Sequence, residues 1–182
     1  MRVIADKGPE AASIADFAAL ANVSRGVFYN YFPSQDDLVL AVWETVWRDI
    51  DREIVEVTAG IDDPAEQIAC ACVKFIDECL RNPVRGWVWL RLDATPALPS
   101  PEMAHHFRIF HDRGMASGRF RTCDRNSAVG LTAGAMRMAV RMALTGVTPR
   151  DAAYETVGLI LASLGVDHDE ARRLAFPDAR QD

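Results

Sequence analysis

Ser13-Ile14-Ala15-Asp16-Phe17-Ala18-Ala19-Leu20-Ala21-Asn22-Val23-Ser24-Arg25-Gly26-Val27-Phe28-Tyr29-Asn30-Tyr31-Phe32 is the stretch whose reading decides the fold. Ser13 suits a helix N-cap, and Asp16, three residues on, supplies a short version of the capping box. Ile14, Phe17, Ala18 and Ala21 then fall at i, i+3, i+4 and i+7, the single apolar stripe of a helix packed on one side. Asn22 stands where the chain must turn sharply, and asparagine tolerates the left-handed backbone better than other non-glycine residues. Ser24 caps a second helix, with Val23 placed to pack on Phe28 as a hydrophobic staple. These residues dictate a helix, a tight turn and a second helix.

With Phe28 directed inward, the period of about 3.6 residues per turn leaves Gly26 and Asn30 on the opposite side, flanked by Arg25, Val27 and Tyr29. A face this small, polar and aromatic suits the second helix of a helix-turn-helix, whose N-terminal part enters the major groove. Arg25 and Asn30 have side chains able to read guanine or adenine edges, and Val27 can meet a thymine methyl. Ser13, Ser24, Tyr29 and Tyr31 are placed as phosphate donors. The plainer reading makes Tyr29, Tyr31 and Phe32 core aromatics, but two tyrosines on the outer side of a short capped helix make poor core.

Outside this stretch the composition is that of an ordinary folded protein. Of the 182 residues, 49% are hydrophobic and 25% charged, which argues against wholesale disorder. No apolar run approaches the roughly 18 to 20 residues of a membrane span, and the start lacks a charged-then-apolar export pattern. A cytoplasmic location, away from any membrane, is the expectation. Cys70, Cys72, Cys79 and Cys123 are then expected as reduced thiols. The net charge of -6 does not by itself point to a nucleic-acid partner.

Apolar residues recur at three- and four-residue spacing almost throughout, without the strict alternation of strands, so the fold class is all-α. Gly and Pro punctuation predicts nine or ten helices. The first of them is short, over Arg2 to Lys7. A long helix runs from Gln35 past Asp51, and others cover Pro64 to Arg81, Val84 to Asp93, Pro101 to Phe120, Arg125 to Thr145 and Arg150 to Leu164. The natural division is a small head over residues 1–47 and a larger body over residues 48–182.

The segment Ser13 to Ala18, then Ala21 to Ser34 with its Tyr29-Asn30-Tyr31-Phe32 ending and serine cap, then Leu38 and Ala41-Val42, closely resembles the DNA-binding signature of the TetR (tetracycline-repressor) family. The residues from Leu161 to Leu174 also look like that family's closing helices. The resemblance implies a homodimer on a palindromic operator, a body that binds a small molecule, and release of DNA when the effector binds. It departs from the pattern at three places. Gln35, counted here among the DNA-binding residues, stands where the family often has a phosphate-binding lysine, Asn22 replaces a common glycine, and the first helix is short or truncated. The head through Trp47 carries three basic residues (Arg2, Lys7, Arg25) against six acidic ones (Asp6, Glu10, Asp16, Asp36, Asp37, Glu44), a net -3 that is the wrong sign for phosphate attraction. A dimeric small-molecule-binding protein without DNA binding is therefore the competing reading.

In the body, the helices rich in Trp, Phe, Met and Cys offer Phe75, Cys79, Trp87, Trp89, Met103, Phe107, Phe110 and Met136 as walls of a site for an apolar or aromatic effector. By resemblance, the helices from Arg125 and from Arg150 form the dimer interface. Gly130 and Gly134 would allow close approach there, and Leu131, Met138, Met142, Val157, Leu161 and Leu164 would supply apolar contact. Cys72 and Cys79 share a helix face but lack the further ligands of a metal site, so they read as small apolar filler. His105, His106 and His111 read as solvent-facing or pocket polar groups, because His106 and His111 miss the i, i+4 spacing of a zinc pair. No catalytic, cofactor or metal motif stands out, so the chain is read as a non-enzymatic regulator.

Overall fold

The computed structural model describes residues 1–92, 102–121 and 123–176, with side chains except at 102–104. Among these residues there are ten helices and no strand: α1 (Arg2–Lys7), α2 (Ile14–Leu20), α3 (Arg25–Tyr31), α4 (Gln35–Thr58), α5 (Pro64–Arg81), α6 (Pro83–Leu92), α7 (Glu102–Ala116), α8 (Arg125–Leu144), α9 (Arg150–Ser163) and α10 (His168–Ala175).

Helix α5 is the axis of the body and packs against α4, α6, α7, α8, α9 and α10. It starts on Asp63, whose side chain accepts from Ala65 N, with Pro64 in the first turn where a missing N–H costs nothing. Ile68, Ala69, Cys72, Phe75, Ile76 and Cys79 are all buried along it. Phe75 lies between two indoles, 6.0 Å from Trp47 of α4 and 4.7 Å edge-on from Trp89 of α6. This aromatic group joins three helices at the centre of the core.

Helices α7 and α6 depart from the sequence expectation at their ends. Helix α7 stops at Ala116 rather than Phe120, because Gly118 takes φ 72° and folds the chain back. Phe120 N then donates to Gly114 O at 3.1 Å, and the Phe120 ring lies over Gly114, where a β-carbon would fall 2.1 Å from it. Helix α6, over Pro83–Leu92, begins one residue earlier than expected, with Asn82 Oδ1 accepting from Arg85 N at 3.3 Å; the expected end at Asp93 lies outside the described residues.

The head comprises α1, α2 and α3, continued by the start of α4, and is joined to the body by α4 and by packing of α1 on α6. The second link is a capping interaction. Arg91 Nε donates to Ala5 O at 2.8 Å and Nη2 to Asp6 O at 3.1 Å, satisfying carbonyls at the C-terminal end of α1. Helix α4 is pinned to three body helices by Asp49 to Arg85 at 2.8 Å, Glu53 to Lys74 at 3.0 Å and Asp51 to His106 at 2.6 Å. No described helix is long and apolar enough to cross a membrane.

Candidate nucleic-acid interface

The capping box at the start of α2 is complete, with Asp16 N donating to Ser13 Oγ at 3.3 Å and Ser13 N donating to Asp16 Oδ2 at 2.9 Å. The helix ends on Asn22 at φ 54°, with Val23 N donating to Ala18 O at 2.9 Å. Asparagine thus performs the left-handed turn. Ser24 Oγ accepts from Val27 N at 3.2 Å and starts α3. Phe28 anchors that helix from below, 6.5 Å from the Phe17 ring and 5.7 Å from Phe32.

With Phe28 only 6% exposed, the opposite face of α3 is open: Val27 is 38%, Tyr29 53% and Tyr31 75% exposed, and Arg25, Gly26 and Asn30 are exposed too. Tyr29 and Tyr31 are therefore not core aromatics. Gly26 is informative because a β-carbon there would meet only Ser24 Oγ, at an ordinary 3.8 Å. Nothing inside the protomer requires a glycine that costs a helix about 1 kcal/mol relative to alanine. Its purpose lies outside, where the bare backbone lets another surface come close.

Charge on this face is sparse. Lys7 Nζ is held by Asp16 Oδ1 at 2.6 Å. The Lys7 ammonium first, and then the Ser13 hydroxyl and amide, hold the Asp16 carboxyl down at about 2. A folded-state value below the unfolded one of about 3.9 means that this contact stabilises above the unfolded value and is lost as pH falls through the folded one. The stability gap between the wild type and Asp16→Asn should accordingly shrink as pH is lowered from about 5 to about 2; a gap constant over that range, read from urea midpoints, would contradict the assignment. Gln35 is a correction. Its Nε2 donates to Pro9 O and Ala12 O, both at 3.0 Å, so the side chain staples the loop between α1 and α2 and is not available to a phosphate. Arg25, by contrast, has no hydrogen bond or ion pair among the described residues.

Comparison with known proteins gives the family. Residues 1–42 match the family of bacterial regulatory proteins described as tetR, and residues 63–176 match the tetracyclin repressor-like C-terminal domain. The chain belongs to the TetR family. No curated protein matches it. Among solved structures, RolR without ligand is 26% identical, over 94% of this chain and 90% of that one, with a TM-score of 0.67. RolR in complex with resorcinol is 25% identical over 96% and 87%, with a TM-score of 0.70. A regulator of this family from Shewanella sp. PV-4, 15% identical over 89% and 92%, shares the fold with a TM-score of 0.76.

As a TetR-family transcriptional regulator, the chain carries its DNA-binding helix-turn-helix on α2 and α3. Of the residues expected at an effector site, Phe75, Cys79, Trp89, Phe107, Phe110 and Met136 are all buried within the protomer. Trp87 is not with them. It is half-buried and faces a separate cleft with Pro9 and Arg141, because it lies two residues from Trp89 on the same helix. Met103 falls outside the described side chains.

The residues expected at a dimer interface divide. Gly130, Leu131, Gly134 and Met138 are exposed, and Met142 is half-buried. Val157, Leu161 and Leu164 correct the expectation: they are 0%, 0% and 2% exposed within the protomer and belong to its own core. The outer stripe of α9 instead presents Leu159, which is 65% exposed. Leu159 stands alone among Asp151, Glu155 and Ser163 on the exposed side of α9, and that polar stripe at four-residue spacing is the usable signal for which face is outer.

Burial pushes the Cys72 and Cys79 thiols up to about 12, which makes them unreactive packing groups. His111 is 1% exposed and not a surface residue, with Nε2 3.4 Å from Cys123 Sγ. Among the described residues, Trp47 Nε1, Trp89 Nε1, His111 Nδ1 and Thr132 Oγ1 are buried without a hydrogen-bond partner. Nothing in the sequence marks these atoms, because only the packing reveals which polar groups lack a partner.

Proposed function

We propose that the protein is an effector-released repressor that binds a palindromic operator as a homodimer in the cytoplasm. The observation that carries the DNA half of this reading is the outward face of α3 and its cap, with Arg25, Val27 and Asn30 presented for base edges and Ser24, Tyr29 and Tyr31 for phosphates; Ser13, expected with them, caps α2 and donates its hydroxyl to Asp16 Oδ2 at 2.8 Å instead. Gly26 supports it by leaving that face bare.

The effector half rests on the unpaired atoms. A buried polar group without a partner costs about 1–3 kcal/mol, and Trp47, Trp89, His111 and Thr132 each hold one in the body. A small aromatic molecule bearing hydroxyl or carbonyl oxygens would satisfy them and stack on the rings. The resorcinol complex of RolR is such a case in a protein of similar fold. An effector seated there would press on α4 through Trp47 and on α7 through His111, straining the bond from His106 to Asp51. Tilting α4 moves the two recognition helices out of the spacing of about 34–36 Å that one duplex turn needs. Operator affinity measured by fluorescence anisotropy with and without resorcinol-like phenols tests this. A body ligand that binds yet leaves operator affinity unchanged would remove the sensing role.

Dimerisation is assigned to the outer faces of α8 and α9. A β-carbon on Gly130 or Gly134 would meet nothing within 4 Å inside the protomer, and exposed Leu131, Met138 and Leu159 lie on the same two helices. Met138→Glu buries a carboxylate twice across a two-fold axis and should weaken the dimer by about tenfold or more. Sedimentation equilibrium of the variant checks this, and an unchanged dimer would place the interface elsewhere.

The acidic head, with Lys7 already paired to Asp16, favours the second reading of a ligand-binding dimer without DNA activity. Titrating random duplex DNA at falling salt separates the two: a regulator gains affinity as salt falls, and the alternative does not bind at all.

A further inference from the structure

A cleft of about 390 Å³ lies on the seam between head and body, away from the aromatic interior. Pro9 and Glu10, from the loop after α1, form one wall, Trp87 and Arg91 of α6 a second, and Arg137 and Arg141 of α8 a third. In a chain of net charge -6, Arg91, Arg137 and Arg141 face this small space, and among its described lining residues Glu10 is the acidic one.

We propose that this cleft binds a small organic anion, an aromatic carboxylate whose ring lies on Trp87 and whose carboxylate is taken by Arg91 and Arg141. Three features support this. The volume falls in the range of about 300–1,000 Å³ typical of small-molecule sites. Trp87 is half-buried and gives a flat apolar wall, with the Arg91 guanidinium 6.0 Å from its ring centre. The arginines are the right donors, since a planar guanidinium matches a carboxylate with two parallel hydrogen bonds. Arg91 uses Nε and Nη2 on the neutral carbonyls of Ala5 and Asp6, so its positive charge is not cancelled by these bonds. Arg141 is exposed and makes no ion pair among the described residues.

The location gives such a ligand a consequence. It touches the loop that ends α1, the α6 arginine that caps α1, and α8, so it holds the head against the body at a point distinct from α4. Occupancy would clamp the orientation of the recognition helix independently of the interior effector.

The test uses benzoate, titrated into the full chain at constant ionic strength without DNA and read by isothermal calorimetry, so its outcome does not depend on operator binding, and Arg141→Gln, which lines this cleft and not the interior, separates the two sites. Saturable binding is expected, weakened about tenfold, or about 1.4 kcal/mol, in Arg141→Gln, whose exposed side chain can be removed without unfolding. Neutral benzamide should bind at least tenfold more weakly than benzoate. The proposal is overturned by no binding up to about 10 mM benzoate, by equal affinity in Arg141→Gln, or by benzamide binding as well as benzoate.

Discussion

Arg25→Ala is expected to lower operator affinity by about 2–6 kcal/mol, because a base-reading arginine is worth about 1–3 kcal/mol and a two-fold symmetric dimer loses it twice. Folding should barely change. Arg25 is exposed at the first turn of α3 and makes no hydrogen bond or ion pair among the described residues, so its removal leaves nothing unpaired. Surface changes of that kind are usually within about 0.5 kcal/mol. Salt dependence distinguishes its role: removing a phosphate-binding group from each half-site lowers the slope by about 0.9 apiece, whereas removing a base-reading group relaxes sequence preference and leaves the slope nearly unchanged. Anisotropy titrations at several salt concentrations read both quantities. Wild-type affinity in a folded Arg25→Ala dimer would remove α3 as the reading helix.

The second large effect is in the core. Trp89→Ala is expected to cost about 3–5 kcal/mol, the usual range for deleting a buried large aromatic. Trp89 is 1% exposed and stands edge-on against Phe75, which in turn stacks on Trp47, so the void would open where α4, α5 and α6 meet. For a chain of this size each kcal/mol is worth about 2–4 °C in melting temperature, which puts the drop near 6–20 °C. Trp89→Phe keeps a ring and gives up only an N–H that has no partner, so its cost should be a small part of the alanine variant's. Equal losses for the two variants would show that ring packing is not what the site supplies.

Much of the head is legible in the sequence because its determinants are local. Ser13, Asp16, Asn22 and Ser24 act on backbone atoms within a few residues, so their types and spacing are enough to place both helices and the turn. Gln35 reads wrongly for the opposite reason. Its partners, Pro9 O and Ala12 O, are 26 and 23 residues away, and no local rule pairs them. Helix α7 ends earlier than its apolar spacing suggests because the return of Phe120 onto Gly114 depends on one glycine at positive φ. In the body, Val157 and Leu161 read as interface residues only by resemblance, whereas they lie off the polar stripe of Asp151, Glu155 and Ser163 and pack inside, and Leu159, the apolar residue on that stripe, is outside.

By itself, then, the sequence determined an all-helical chain with a capped helix-turn-helix at its start, since hydrogen bonds of short range and the helical period need no distant partner. Tertiary structure alone decided which apolar residues face the core, which polar atoms are left without partners, and that arginines from two helices meet a loop of the head at one cleft. Those outcomes depend on how helices distant in sequence pack together, and the apolar type of a residue does not state whether its own core or another surface covers it.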